Sequence, residues 1–107
     1  KGKLGAELDV EEGKKAAKLC ILNTFGVLKL ALNNNLSLIK RCIKITAFIN
    51  SIDTFNKQPE VADGASNIIS DLLNPEGNHS RSAVSVNSLP RNSAVEIDSV
   101  FEIKIEK

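Results

Sequence analysis

Aromatic side chains are nearly absent from this sequence of 107 residues, which contains four Phe and neither Tyr nor Trp. A surface that binds nucleic acid by stacking on its bases would therefore have few rings to offer. Charge gives such a partner no support either, because 14 Lys and Arg against 13 Asp and Glu leave a net charge of +1. The basic residues are also scattered along the chain. The composition therefore argues against a nucleic-acid partner.

Histidine and cysteine are also scarce, with His79 as the single histidine and Cys20 and Cys42 as the two cysteines. One histidine argues against a multi-histidine metal site or a histidine-based triad within one chain. The sequence has neither a CxxC pair nor a glycine-rich phosphate loop, so we expect no metal and no cofactor. Both cysteines lie in apolar patterns, which favours reduced, buried thiols, with a disulfide as the alternative.

Long apolar runs are missing as well. The most apolar stretch, Leu19–Leu32, is interrupted by Asn23, Thr24 and Lys29, and it is shorter than the ~20 residues that a membrane-spanning helix needs. The opening Lys1–Gly5 leads into an acidic turn rather than into the apolar run of a signal peptide. We therefore expect no membrane span and no secretion, and hence a cytoplasmic protein.

Two helices are predicted from apolar residues that recur at helical spacing. The first begins at Asp9, an N-cap whose capping box is completed by Glu12, and it ends at the three asparagines 33–35. The second begins near Pro59 and stops at residues 74–77. The first apolar stripe consists of Ala17, Cys20, Ile21, Thr24, Leu28, Ala31 and Leu32, and the second of Val61, Ala62, Ala65, Ile68, Ile69, Leu72 and Leu73.

The strands are predicted from alternating side chains. Residues 38–50 place Ile39, Ile43, Ile45, Ala47 and Ile49 on one parity and Lys40, Cys42, Lys44, Thr46 and Phe48 on the other. Two later runs rich in β-branched residues flank Leu89-Pro90, which predicts an antiparallel hairpin with Arg81 and Glu96 in adjacent strands. The whole chain, 1–107, is expected to be one α+β domain. Both helices would pack on one face of a mainly antiparallel sheet.

Two side chains near this hairpin suggest chemistry. The guanidinium of Arg81 can bind a planar carboxylate bidentately, and Glu96 can accept a proton from water. Each has a plain alternative, because a strand-end arginine often forms a surface ion pair. Glu96 and Asp98 could likewise be a solvated strand face.

The motifs in this region resemble those of one known family. The run His79-Ser80-Arg81-Ser82-Ala83-Val84-Ser85-Val86, the Leu89-Pro90 turn and Val95-Glu96-Ile97-Asp98 are similar to the C-terminal signature of the YjgF/RidA family. Members of this family are also called endoribonuclease L-PSP. Upstream, Gln58-Pro59 and Val61-Ala62-Asp63-Gly64-Ala65-Ser66 resemble one subgroup, so the resemblance extends over nearly the whole chain.

The resemblance implies a chorismate-mutase-like subunit that forms a homotrimer with sites in the clefts between subunits. The activity it implies is hydrolysis of reactive 2-enamino and 2-imino acids to 2-oxo acids and ammonia, without a cofactor. Arg81 corresponds to the arginine that holds the substrate carboxylate, and Glu96 to the acid that activates the attacking water. Asp63 falls near a position where members often carry a pocket-lining asparagine, and its alternative is a solvated position on the second helix.

The sequence also departs from the family pattern. Ala83 stands where many deaminase members have a cysteine, and the strands with a Ser-Gly-Gln-type motif that usually open the domain have no counterpart here. These departures keep a second hypothesis open, in which the chain is a non-catalytic trimer that binds a small carboxylate or has a structural role. A third hypothesis, endoribonuclease activity, follows from the family label and is opposed by the low net charge and by the lack of a histidine pair.

Overall fold

The computed structural model describes residues 1–73 and 78–105. Over these ranges the chain forms two α-helices, three strands and two short 3₁₀ turns, at Leu36–Leu38 and Pro90–Asn92. The main elements follow one another as α1 (Val10–Ala31), β1 (Ile39–Asn50), α2 (Gln58–Leu73), β2 (Ser80–Val86) and β3 (Val95–Ile103). The predicted stop signal at residues 74–77 lies outside the described residues.

Helix α1 begins where the sequence predicts. The Asp9 carboxylate accepts a hydrogen bond from the backbone N–H of Glu12 at 2.8 Å, and the Glu12 carboxylate accepts one from the Asp9 N–H at 3.0 Å. This reciprocal pair satisfies two backbone donors that the first turn would otherwise leave free. The helix ends at Ala31 with Leu32 as its C-cap, and the chain then turns at Asn33 and Asn34, whose φ angles of 54° and 64° lie in the left-handed region that asparagine tolerates.

The sheet is small and mixed, with strand order β2-β1-β3. β1 pairs parallel with β2 and antiparallel with β3. The predicted β2–β3 hairpin is therefore wrong, because the most apolar strand takes the central position between them. Residues 87–94 cross the end of β1 instead of making a tight turn, and Arg91 and Asn92 bend this crossing with φ values of 57° and 55°.

The alternation predicted for β1 holds only in its second half. The register against β3 shifts between Ile39 and Arg41 and again between Cys42 and Lys44. Each bulge places one extra β1 residue in the strand and so reverses the parity that follows. Cys42 is consequently buried, with 1% of its surface exposed, whereas Ile43 is 41% exposed. Both residues lie on the side opposite to the one predicted.

Both helices pack on the same face of the sheet, which confirms the predicted α+β architecture. We call this the covered face, and it carries Ile45, Ala47 and Ile49 of β1. The helices cross closely, because a Cβ atom on Gly64 would lie 2.1 Å from the backbone oxygen of Lys14. No helix within residues 1–73 and 78–105 is long and apolar enough to cross a membrane.

Candidate functional site

Arg81 lies near the start of β2, an edge strand, in register with Ile45 of β1. Side chains alternate along a strand, so this register places the arginine on the covered face, where α2 passes beside it. Its Nη1 donates a hydrogen bond to Oδ1 of Asp63 at 2.7 Å and another to Oγ of Ser66 at 3.3 Å. The structure therefore brings together Arg81 and Asp63, two of the three predicted site residues.

The other N–H donors of Arg81, on Nη2 and Nε, form one edge of the guanidinium. Within residues 1–73 and 78–105, neither Nη2 nor Nε makes a hydrogen bond, and the side chain is 28% exposed. A guanidinium has five N–H donors in a rigid fork, of which the Asp63 and Ser66 contacts use one corner. Asp63 can therefore orient the arginine while the other edge remains available to an anion.

The arginine lines a shallow surface depression of about 380 Å³ that is formed by polar and charged residues. The other lining residues are Ser66, Ser70, Asn78 and His79. The Nε2 of His79 lies 3.0 Å from Oγ of Ser66. The same Oγ accepts the hydrogen bond from Nη1 of Arg81. Ser66 was not among the predicted site residues, although it lies three residues after Asp63 and therefore on the same face of α2.

Glu96 lies elsewhere. It pairs with Phe48 across the β1–β3 ladder, and both belong to the parity that points away from the helices. We call this side the open face of the sheet, and its side chains include Thr46, Phe48, Val84, Glu96, Asp98 and Val100. Glu96 is therefore separated from Arg81 by the central strand and lies on the opposite face of the sheet. The expectation that they occupy adjacent strands is wrong.

A comparable pair shows the plain alternative for Arg81. Nε of Arg41 donates to Oε1 of Glu102 at 2.7 Å, and Lys40 lies 3.7 Å from the same carboxylate. The hydrogen bond from Arg41, followed by the charges of Lys40 and Arg41, lowers the pKa of Glu102. This pair is a solvated ion pair between neighbouring strands. Arg81, by contrast, also donates to the Ser66 hydroxyl and lines the depression described above.

The cysteines are free, and they differ in environment. Cys42 is buried, and this burial raises the pKa of its thiol to about 11 against a smaller opposing effect of the Lys44 backbone hydrogen bond. Cys20 is half-buried and contacts the carbonyl oxygen of Val95 at 3.4 Å. Burial, and secondarily the charge of Glu96, raises its pKa as well. Both are therefore protonated thiols at neutral pH.

Two other expectations concern Ala83 and metal ions. Ala83 pairs with Ala47 and is half-buried against the core, two residues beyond Arg81 on the same face of β2. A methyl group there gives the depression no nucleophile.

Within the described residues no group of three or more His, Cys, Asp or Glu side chains is placed to hold a metal ion.

Two helices on one face of a small mixed sheet define a chorismate-mutase-like α+β subunit. Residues 1–103 match the model of the family described as "YjgF/chorismate_mutase-like, putative endoribonuclease". The chain belongs to this family, as its motifs indicated.

Three relatives give the scale of the similarity. Protein TCP17 of Trypanosoma cruzi is 42% identical over 103 residues, which cover 95% of this chain and 64% of that protein. The crystal structure of Atu1372 from Agrobacterium tumefaciens, a protein of unknown function, gives a TM-score of 0.95 at 43% identity over 97% of this chain and 66% of that one. A "putative endoribonuclease" from Shewanella oneidensis MR-1 gives 0.88 at 31% identity, over 97% and 67%. The chain thus spans about two thirds of the length of these relatives.

Proposed function

We propose that this chain binds the carboxylate of a small 2-oxo or 2-imino acid through Arg81. We further propose that its assembly hydrolyses the imine to the 2-oxo acid and ammonia, as in RidA-like enzymes. The observation that carries the proposal is the free Nη2 and Nε edge of Arg81 beside a hydroxyl-lined depression. A bidentate guanidinium–carboxylate pair needs two parallel N–H donors of this kind.

Asp63 has a positioning role in this proposal. Its ion pair with Arg81 is 2.7 Å long, so the guanidinium is held on the α2 side of the strand. The carboxylate of Asp63 is partly exposed, which screens its charge and lowers the cost of bringing a second carboxylate to the same arginine. A substrate carboxylate then binds the edge of Arg81 that faces away from Asp63.

Hydrolysis also needs a group that activates water, and in this proposal Glu96 of a neighbouring subunit supplies it. Within one chain Glu96 and Arg81 lie on opposite faces of the sheet, so only a second copy can bring the two groups together. Val84 and Val100 are exposed on the open face, which supports burial of that face in an assembly. We therefore propose a homotrimer with clefts between its subunits.

The chemical step uses no cofactor. Glu96 accepts a proton from water while the water oxygen forms a bond to the imine carbon, and the C=N electron pair moves to the protonated nitrogen. As the tetrahedral carbinolamine collapses, Glu96 returns its proton to the nitrogen, which leaves as ammonia, and accepts the hydroxyl proton as C=O forms. That proton then passes to solvent, which restores the Glu96 carboxylate. Arg81 holds the carboxylate throughout, which fixes the reacting carbon relative to the base.

The test uses Arg81→Lys, Glu96→Gln and the wild-type protein. Calorimetry with 2-oxobutanoate should show binding weakened by about 1–3 kcal/mol in Arg81→Lys, which keeps the charge but loses the fork. In Glu96→Gln this binding should be nearly unchanged. Hydrolysis of 2-iminobutanoate, generated in situ by an amino-acid oxidase and followed by semicarbazone trapping, should slow by about 10²–10⁴-fold in Glu96→Gln. Arg41→Lys is the matched control and should change neither quantity.

Mixing the two variants tests whether the site is shared between chains. After joint refolding, an Arg81→Lys subunit still contributes Glu96 and a Glu96→Gln subunit still contributes Arg81. Random trimers should then regain about one quarter of the wild-type hydrolysis, because one cleft in four has both native groups. No recovery would contradict a shared cleft, and equal 2-oxobutanoate binding by Arg81→Lys and wild type would remove Arg81 from the site.

A second candidate is a trimer that binds small carboxylates without turnover. It is favoured by the position of Glu96 on the face opposite Arg81 and by Ala83, which supplies no thiol. Arginine-dependent binding of 2-oxobutanoate with no hydrolysis by the wild type would select it. Ribonuclease activity, which the family description mentions, has little support from a net charge of +1 and a single histidine.

A further inference from the structure

The outward side of α1 carries a row of exposed apolar residues. Leu19, Leu22, Gly26 and Leu30 follow one another at spacings of three and four residues, and Val27 flanks the row. We call these five residues the outer stripe. Leu19 is 60% exposed, Val27 67% and Leu30 78%. Scattered apolar residues on a surface need no explanation, but a continuous row on one helix face indicates an interaction surface.

Gly26 lies in the middle of this stripe. A glycine inside a helix costs about 1 kcal/mol relative to alanine, yet a Cβ atom at this position would meet nothing within 4 Å. Gly13 and Gly64 differ, because their Cβ atoms would approach Leu4 at 2.7 Å and the Lys14 oxygen at 2.1 Å. In those two helix positions glycine permits a close approach within the chain. At Gly26 no atom of the chain occupies this space, so the backbone of α1 is open there to a close approach from outside.

The charges beside the stripe indicate what that molecule carries. The first turn of α1 contains Glu11 and Glu12, and Glu11 lies 3.8 Å from Lys14. From Lys15 to the end of the helix the charged residues are Lys15, Lys18 and Lys29, with no acidic residue among them. A second copy of α1 would therefore bring lysines against lysines. A helix with Asp or Glu beside its apolar row would instead be attracted to them.

The stripe continues into a depression between α1 and β3. Its volume is about 480 Å³, and Val27 contributes to both surfaces. The other lining residues are Asn23, Thr24, Leu28, Ser99, Phe101 and Ile103. A helix that crosses α1 at Gly26 could place one apolar side chain into this depression, as an anchor does in helix-in-groove recognition.

We propose that the outer stripe binds an amphipathic helix of a partner protein, with its backbone closest to α1 at Gly26 and acidic residues facing Lys15, Lys18 and Lys29. An anionic membrane would also attract these lysines and accept the leucines. It would gain nothing from a glycine in the centre of the stripe, however, because a bilayer binds apolar area and not a close backbone contact. Gly26 therefore favours the helix.

The test uses a labelled, amidated Leu- and Ala-rich helical peptide of about 18 residues with Glu on both flanks of its apolar row. Its twin has Lys at the flanking positions. Fluorescence anisotropy should show that the Glu peptide binds the wild type at least about tenfold more tightly than the Lys peptide. Added salt should weaken this binding. Gly26→Leu should reduce it by at least about tenfold, since its side chain holds the helices apart.

Two further variants keep the result interpretable. Leu30→Gln replaces an apolar side chain that is 78% exposed and should also weaken binding. Asn67→Leu adds apolar bulk on the exposed side of α2 and should leave binding unchanged. Equal binding by Gly26→Leu, or no preference for the Glu peptide, would overturn the proposal. Tighter binding of Gly26→Leu to phosphatidylserine vesicles with no peptide binding would identify a membrane surface instead. A lower assembly mass of Gly26→Leu would identify a second copy.

Discussion

The covered and open faces of the sheet are built by the same strands, yet they differ in how completely they are filled. On the covered face Ile45, Ala47 and Ile49 have no exposed surface, and the two helices above them cross without room for a methyl group at Gly64. On the open face Val84 and Val100 stay nearly half exposed beside Glu96 and Asp98. The first surface is complete within one chain, whereas the second mixes apolar and acidic side chains in a way that suits a contact between chains.

This difference also separates Arg81 from Glu96, two of the three predicted site residues. Arg81 lies on the covered side, where Asp63 and Ser66 fix it, so its position depends on the fold of a single chain. Glu96 lies on the open side, so its environment in the working protein depends on what covers that side. A stability measurement therefore tests the surroundings of Arg81, and an assembly measurement tests those of Glu96.

Gly64→Ala should disrupt the close packing of the two helices on the covered face, and we expect it to have the largest effect on stability. The new Cβ would lie 2.1 Å from a backbone oxygen of Lys14, and a backbone atom cannot move aside as a flexible side chain can. We expect a loss of more than about 3 kcal/mol in the free energy of unfolding. Chemical denaturation measures it, with Asn67→Ala on the exposed side of α2 as the control. A cost similar to that of the control would show that the helices can separate freely.

Asn50→Ala should have the next largest effect, at the rim where the two faces meet the N-terminal segment. The buried Asn50 amide donates to the backbone oxygens of Gly2 and Ser93 and to Oδ1 of Asn92. Its own Oδ1 accepts from Nζ of Lys3 at 2.8 Å.

Removing this amide leaves several polar groups without partners, so we expect a loss of about 1–3 kcal/mol in the free energy of unfolding. Ser88→Ala, at an exposed position nearby, serves as the control in the same denaturation series. An unchanged denaturation midpoint for Asn50→Ala would mean that water replaces the amide.

Several features of the fold show what the sequence could predict and what it could not. The start of α1 follows from local chemistry, because the Asp9 and Glu12 capping box acts over four residues. The strand order and the Asn50 network depend on segments far apart in the chain, which no local pattern specifies. The bulges in β1 are equally hidden, because the apolar Ile43 suits the predicted parity and Cys42 gives no contrary signal. The Arg81–Asp63 contact is an intermediate case. The family resemblance pointed to both residues, but only the fold shows that they form an ion pair.

The pH dependence of stability should sharpen the contrast, because Cys42 lies on the covered face. Its pKa is about 11 in the folded chain against 9.0 when unfolded. Between these values the unfolded chain releases the thiol proton and the folded chain keeps it. The stability that this thiol contributes is therefore fully present below pH 9, and it is lost as the pH rises toward 11.

The slope should be at most about 1.4 kcal/mol per pH unit from this thiol. Urea denaturation at several alkaline pH values measures it, and Cys42→Ala should lose that part of the slope. In thiol titrations of the native protein, the half-buried Cys20 should react before Cys42. An identical slope in Cys42→Ala would assign the alkaline loss of stability to other groups.

Gly26→Ala should have the smallest effect and the opposite sign. On the outward side of α1 the added methyl group meets no atom within 4 Å, so nothing in the chain opposes it. Alanine also restricts the unfolded chain more than glycine does, and we expect a gain of up to about 1 kcal/mol in the free energy of unfolding. Thermal and urea denaturation measure this gain directly. A loss instead of a gain would show that α1 already packs closely against another segment at Gly26, within the chain or between its copies, and the outer stripe would then not be a free surface. A gain in stability together with weaker binding of the acidic peptide would mean that the glycine is kept for a contact outside the fold.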